Sequence, residues 1–448
     1  MSAQEYVNRV LASVQERHQD KPEFVQAVEE FLPTIAGYVA EHPEIEAHNL
    51  LEIMVEPERV IQFRVPWQDD QGNWRVNLGY RVQYNSALGP YKGGLRFHPS
   101  VNESIVRFLG FEQIFKNALT SLPIGGGKGG SDFDPSGKSD AEVMRFCQSF
   151  MTELQKYIGP DRDVPAGDIG VRAREIGYMY GQYKRLNQTE PGVLTGKPTN
   201  QWGSFARTEA TGYGVVYFAQ NALADRGQDI SGKRVVISGR GTVAMYAVEK
   251  AEQLGATVIA VSDITGYVYD EAGISAETLK NIPVDDAISL DEYTKHHPDA
   301  KFYPNESVWA ADLSYDVALP CATQNEINAE MAQNMVDHGV KYVFEGANMP
   351  SQEAAVEIFD DNKVLFGPAK AVNAGGVAVS ALEMAQNSQR LQWTFEEVDG
   401  RLQETMKAIY DACSNTAKRY SHPDDLRLGA NVAGFARVSE VMLAQGLV

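Results

Sequence analysis

The stretch Val235-Val-Ile-Ser-Gly-Arg-Gly-Thr-Val-Ala244 passes from an apolar strand signal, through the glycine pattern G-x-G-x-x-A, into a helical pattern that runs from Val243 to Leu254 and stops at Gly255. A second apolar run, Ala256 to Val261, follows and leads into Asp263. In such a strand–turn–helix the first glycine allows a tight turn and the second lets backbone approach a pyrophosphate. The helix N-terminus then faces the anion, and an acid about 20 residues on meets a ribose hydroxyl. The glycines alone are a weak signal, and a tight helix-packing turn in another α/β fold is the alternative. The strand before, the helix after and the acid at that distance together predict a dinucleotide-binding fold. Further strand signals at Asp316 to Leu319, Tyr342 to Phe344 and Val364 to Phe366 are separated by helix-length segments, the rhythm of a doubly wound parallel sheet.

Upstream, the texture changes near the polar loop Thr195-Gly-Lys-Pro-Thr-Asn-Gln-Trp202. The chain of 448 residues is too long for one typical core. We expect two domains: an α/β substrate-binding domain over 1–201 and a Rossmann-type dinucleotide-binding domain over 202–424. A net charge of −20 argues against nucleic acid and anionic membrane surfaces as partners. No apolar run approaches the ~18 residues needed to span a bilayer, and the N-terminus lacks a signal-peptide pattern, so a cytoplasmic protein is expected. Cys147, Cys321 and Cys413 are far apart, and the histidines show no ligand spacing. Neither a disulfide framework nor a metal site is predicted.

Against the acidic background, one region concentrates lysine among glycines. Lys128 lies in Pro123-Ile-Gly-Gly-Gly-Lys-Gly-Gly130, read here as a bare backbone loop. A phosphate-binding P-loop is excluded, because Gly129 follows where Ser or Thr is needed and the expected first glycine falls on Leu122. Two readings remain: a flexible turn with a solvated lysine, or a lysine with a lowered pKa acting on a carbonyl. Lys92, in Gly89-Pro-Tyr-Lys-Gly-Gly-Leu-Arg-Phe-His98, follows the alternating strand pattern Val76 to Tyr84. Gln113 and Lys116 are three apart on a helical stretch from Ser104 and share one face. Together these residues suit a ligand with two carboxylates. Asp168, framed in Val164-Pro-Ala-Gly-Asp-Ile-Gly170, is either a proton-shuttling carboxylate or an ordinary helix-capping or turn aspartate.

Pro90 to Pro99, Gly110-Phe-Glu-Gln-Ile-Phe-Lys116, Gly125 to Gly130, Pro165 to Gly170, Ala318-Leu-Pro-Cys-Ala-Thr-Gln-Asn-Glu326 and Asn373-Ala-Gly-Gly376 resemble bacterial glutamate dehydrogenases of the small-subunit, hexameric type, over essentially the whole chain. The resemblance implies an oxidoreductase of the Glu/Leu/Phe/Val dehydrogenase superfamily. It would interconvert L-glutamate with 2-oxoglutarate and ammonium, by hydride transfer to NADP or NAD. It further implies that Lys92 and Ser380 hold the side-chain carboxylate, that Gln113 and Lys116 hold the α-carboxylate, that Gly167 also binds substrate, and that Lys128 and Asp168 are catalytic. Arg207, Thr211, Gly239, Gly241, Thr242, Val243, Asp263, Asn348 and Asn373 would bind the cofactor. A homohexamer is implied, assembled mainly through the N-terminal domain, with a helix over 425–448 returning to that domain. The sequence departs from the family pattern at Arg172, Ala173, Pro198, Arg240, Thr242 and Ala369, which bears on cofactor affinity. Asp263 by the general rule favours NAD, whereas the overall resemblance leans to NADP. The segment Asn281 to Ser289 carries two acids and no base for a 2′-phosphate. The alternative to an enzyme is a non-catalytic relative that binds 2-oxoglutarate or glutamate.

Overall fold

The alternating pattern between Val76 and Tyr84 forms part of a long strand in the first of two sheets. A computed structural model describes residues 2–283 and 288–447. The first sheet contains β1 (Arg59–Gln68), β2 (Trp74–Asn85), β3 (Tyr91–Phe97), β4 (Gly125–Ser131) and β5 (Asp163–Gly167), in the order β1-β2-β4-β3-β5. The β1/β2 and β2/β4 pairs are antiparallel, and β3 runs parallel to both β4 and β5.

The glycine run around Lys128, expected as a loop, is instead the central strand β4. Glycine is a poor strand former, and here close packing overrides that preference. A Cβ on Gly126 would lie 2.8 Å from Ile114 Cα of the Glu103–Leu119 helix. On the other face, Cβ atoms on Gly127 and Gly129 would crowd Arg81. The Arg81 side chain crosses the sheet from β2 to the β5 residue Asp163, pairing with its carboxylate and donating from Nη1 to the Gly93 carbonyl at 3.1 Å. Both side chains are fully buried. Beneath the sheet, Phe97, Phe133, Phe146 and Phe150 pack with Trp67 and with the helices Asp140–Leu154 and Ala173–Leu186. The N-terminal helix Ala3–Arg17 opens on a capping box from Ser2 and Glu5, and buries Tyr6, Val7, Val10 and Val14 within its own chain.

The second sheet contains β6 (Arg234–Ser238), β7 (Thr257–Asp263), β8 (Gly266–Tyr269), β9 (Lys301–Pro304), β10 (Val317–Pro320), β11 (Tyr342–Phe344) and β12 (Leu365–Gly367). Its order is β12-β11-β10-β6-β7-β8-β9. The five strands read from sequence are the parallel ones. The two unread strands, β8 and β9, are short and antiparallel. Val236, Ile259, Ala318, Val343 and Phe366 form one core with Trp309.

By compactness the chain divides into Met1–Arg207 with Val377–Val398 and Asn431–Val448, and Thr208–Gly376 with Asp399–Ala430. Val377–Val398, inside the span read as the dinucleotide domain, thus belongs to the first unit. There its Ser380 and Glu383 bond to Arg207 and Lys197. The three cysteines are buried free thiols. Among the described residues no helix is long and apolar enough to cross a membrane, and no His, Cys, Asp or Glu group could hold a metal.

Candidate active site

Lys128 projects from β4 on the same face as Gly126, toward the Glu103–Leu119 helix. Its Nζ lies 3.4 Å from Oδ2 of Asp168, which follows directly on β5. The same oxygen accepts from Arg96 Nε at 2.9 Å. Burial alone would raise the Asp168 carboxyl, but the charges of Lys128 and Arg96 outweigh it and hold the group down at about 2. Burial pulls the Lys128 amine below its ordinary value, partly offset by Asp168 and reinforced by Arg96. The solvated-turn reading of Lys128 and the capping reading of Asp168 both fall away: Lys128 is 6% exposed, and Asp168 makes part-buried ion pairs with Lys128 and Arg96.

On the helix, burial and the charge of Lys128 push the Lys116 amine down to about 8. Gln113, one turn earlier, donates from Nε2 to Asn117 Oδ1 at 2.7 Å. Asn117 Nδ2 in turn donates to the carbonyls of Lys92 and Gly125, at 2.9 and 2.6 Å. The helix carrying two predicted ligands is therefore fastened to β3 and β4 by one buried amide.

Lys92 on β3 is fully buried and donates to the Val164 carbonyl at 3.0 Å and to Thr195 Oγ1 at 2.7 Å. Burial, aided by the nearby charges of Arg207 and Arg81, drives its amine well below the ordinary lysine range. Ser380, on the Gly375–Gln389 helix, accepts from Arg207 Nε at 2.9 Å. Arg207, expected at the cofactor, thus sits with Ser380 and within the field of Lys92. Gly167 closes β5, where a Cβ would lie 2.5 Å from the Val171 carbonyl oxygen.

Sequence reasoning missed Arg96, Asn117, Thr195 and Glu383. Arg96 had a readable signal: it is four residues beyond Lys92 in one strand, and even spacing puts both on one face. Asn117, four residues beyond Gln113, had a similar helical signal. Thr195 and Glu383 are joined to the site only by long-range contacts.

In the second unit, Gly239 follows β6 with φ +90°, and its N–H donates to Ser262 Oγ at 3.4 Å. A Cβ there would approach Ala322 Cα at 3.0 Å. Gly241 precedes the Thr242–Gln253 helix without a side-chain cap, and a Cβ on it would meet nothing within 4 Å. An open, uncapped helix start behind a left-handed glycine fits a pyrophosphate. Thr242 and Val243 form its first turn, and Thr211 lies in the first turn of the Ala210–Ala224 helix. Asn373 Nδ2 donates to Asn348 Oδ1 at 3.0 Å and to the Gly346 carbonyl at 3.2 Å. Asp263 ends β7 and pairs with Arg240. Ala369 lies in this unit, where its N–H donates to Glu345. Arg172, Ala173 and Pro198 lie in the first unit, with Arg172 at the N-cap of the Ala173–Leu186 helix. Asp285 and Asp286, the acids of the segment before Ser289, lie outside the described residues.

The family model described as Glutamate/Leucine/Phenylalanine/Valine dehydrogenase matches residues 203–446. A second, described as the Glu/Leu/Phe/Val dehydrogenase dimerisation domain, matches residues 57–185. The chain is 54% identical over 446 residues to the NADP-specific glutamate dehydrogenase of Giardia intestinalis, covering 99% of each. It is 51% identical over 447 residues to the NAD-specific glutamate dehydrogenase of Clostridium symbiosum, again covering 99% of each. The structure of glutamate dehydrogenase 2 of Plasmodium falciparum matches it with a TM-score of 0.95 at 51% identity, over 100% of this chain and 98% of that one.

Proposed function

This chain belongs to the glutamate/leucine/phenylalanine/valine dehydrogenase family, and from that premise we propose that it catalyses the reversible oxidative deamination of L-glutamate to 2-oxoglutarate and ammonium with NAD or NADP. The observation that carries this reading is the largely buried Lys128–Asp168 pair, at 3.4 Å, beside Lys116. A non-catalytic binder of the same acids would have no use for an ionised carboxylate held against a desolvated amine.

Lys92, Ser380 and Arg207 hold the side-chain carboxylate of the substrate, a role supported by the Arg207–Ser380 hydrogen bond and the nearness of Lys92 to Arg207. Gln113 and Lys116 hold the α-carboxylate, with Gly167 lining the site. Thr211, Gly239, Gly241, Thr242, Val243, Asp263, Asn348 and Asn373 hold the dinucleotide, which when bound supplies the hydride acceptor. Asp168, kept ionised by Lys128 and Arg96, takes a proton from the substrate amino group. Lys128 orients water toward the electron-poor C2 and stabilises negative charge on the oxygen that becomes the 2-oxo group. In the reverse direction the ionised Asp168 takes a proton from the nitrogen as ammonia adds at C2 and passes it to the oxygen that leaves as water. The protein is cytoplasmic in this reading and assembles as a homohexamer, the assembly in line with the match to the dimerisation-domain model.

The test is loss of nicotinamide absorbance with 2-oxoglutarate and ammonium, run with NADPH and with NADH. Turnover with either is expected. Folded protein that turns over neither overturns the proposal.

A further inference from the structure

Arg240 stands between the two glycines of the dinucleotide turn and folds back on Asp263, with Nε 3.1 Å from Oδ2. Both side chains are buried, at 5% and 8% exposure. The other Asp263 oxygen, Oδ1, is already engaged, accepting from the Thr265 N–H at 2.7 Å and from its Oγ1 at 2.6 Å. Oδ2, the remaining acceptor, faces the guanidinium without an aligned hydrogen bond. Arg240 itself donates from Nη2 to the Ile288 carbonyl at 2.9 Å, while Nε and Nη1 are buried without a hydrogen-bond partner among the described residues. Such unspent donors on a buried guanidinium are costly unless an acceptor completes them.

The acid at the end of the second strand of this fold ordinarily accepts from a free ribose 2′-hydroxyl and repels a 2′-phosphate. Here Arg240 compensates that acid's charge, and its planar fork of donors suits a phosphate. Overall likeness cannot choose the cofactor, because an NADP-specific and an NAD-specific relative are 54% and 51% identical to the chain. We infer that Arg240 selects the dinucleotide bearing a ribose 2′-phosphate, its buried donors binding the phosphate while its charge neutralises Asp263. This inference rests on the proposed dehydrogenase function.

The experiment measures dissociation constants of NADPH and NADH by nicotinamide fluorescence, and of 2′,5′-ADP and 5′-AMP by calorimetry, for the wild type, Arg240→Ser and Asp263→Asn. The wild type should bind NADPH more tightly than NADH. Arg240→Ser should weaken NADPH and 2′,5′-ADP by about tenfold or more, as expected for lost charge-assisted hydrogen bonds, and weaken their 2′-hydroxyl counterparts far less. Asp263→Asn should retain the preference for NADPH. If Arg240→Ser does not fold, Arg240→Lys, which keeps the charge but loses the fork, carries the same comparison. Binding of both dinucleotides with a ratio unchanged by the Arg240 substitutions overturns the role of Arg240 and leaves the dehydrogenase intact. Binding of neither by folded protein overturns the dehydrogenase function and this inference with it.

Discussion

Lys197 and Glu383, 186 positions apart in the chain, form an ion pair at 2.7 Å with both side chains fully buried. Glu383 also accepts from the Gly196 N–H at 3.0 Å, and Lys197 donates to Asn387 at 2.9 Å. The pair joins the loop carrying Thr195, the partner of Lys92, to the helix turn carrying Ser380. Glu383→Ala leaves a buried ammonium unpaired and should cost about 3–5 kcal/mol, seen as a lowered apparent unfolding temperature. Glu383→Gln keeps hydrogen bonding and should fold. Its KM for 2-oxoglutarate should rise while its KM for ammonium stays unchanged. Equal rises in both would deny the pair a part in positioning the carboxylate holders.

Lys128 and Asp168 should behave as one device. Lys128→Ala and Asp168→Asn should each lower kcat by about 10²- to 10⁴-fold, with NADPH binding by fluorescence retained. The double variant should be scarcely slower than the worse single one, because groups acting together are not additive. Multiplicative losses would separate their roles.

The pH profile follows from Lys116 and Asp168. Lys116 must be protonated to attract a carboxylate, and its amine is drawn down to about 8 by burial and by Lys128. In the free enzyme the charge is present below that pH and is lost above it. The ratio kcat/KM for 2-oxoglutarate should therefore fall by about tenfold per pH unit above the break. Lys116→Arg, which keeps its charge, should move the break upward. A break that stays in place belongs to another group. Asp168, held at about 2, is ionised throughout this range and adds no acidic limb between pH 5 and 8.

The parallel strands of the nucleotide sheet were legible because each is a short apolar run bounded by turn or helix signals. Strands β8 and β9 were not, since four-residue pieces that pair antiparallel carry little periodicity. The misread strand β4 is the more instructive case. Its glycines signal flexibility locally, whereas their task is to leave room for Arg81 on one face and for Ile114 on the other. Neither neighbour is near in sequence. Lys92, Lys116 and Lys128 were legible because lysines among glycines or on a helix face stand out in an acidic chain. Glu383 looks like any helical glutamate until its partner, 186 positions away, is brought to it.

Three glycine-to-alanine substitutions test whether space, rather than composition, made β4 a strand. At Gly93 an added Cβ would lie 1.7 Å from the Gly127 carbonyl oxygen, a backbone atom of the neighbouring strand that cannot yield without breaking the ladder. Gly93→Ala should give little or no folded protein. At Gly126 the Cβ would lie 2.8 Å from Ile114 Cα, so the Glu103–Leu119 helix must lift, at a cost of about 1–3 kcal/mol as for other overpacked sites. Because that helix carries Gln113 and Lys116, Gly126→Ala should also raise KM for 2-oxoglutarate. Gly181 is the control, inside the Ala173–Leu186 helix with nothing within 4 Å of an added Cβ. Gly181→Ala should stabilise by about 0.5–1 kcal/mol, through helix propensity alone. Denaturant midpoints for the variants that fold should place Gly181→Ala above the wild type and Gly126→Ala below it. Equal midpoints for all three would mean that the sheet tolerates side chains where the packing leaves them no room.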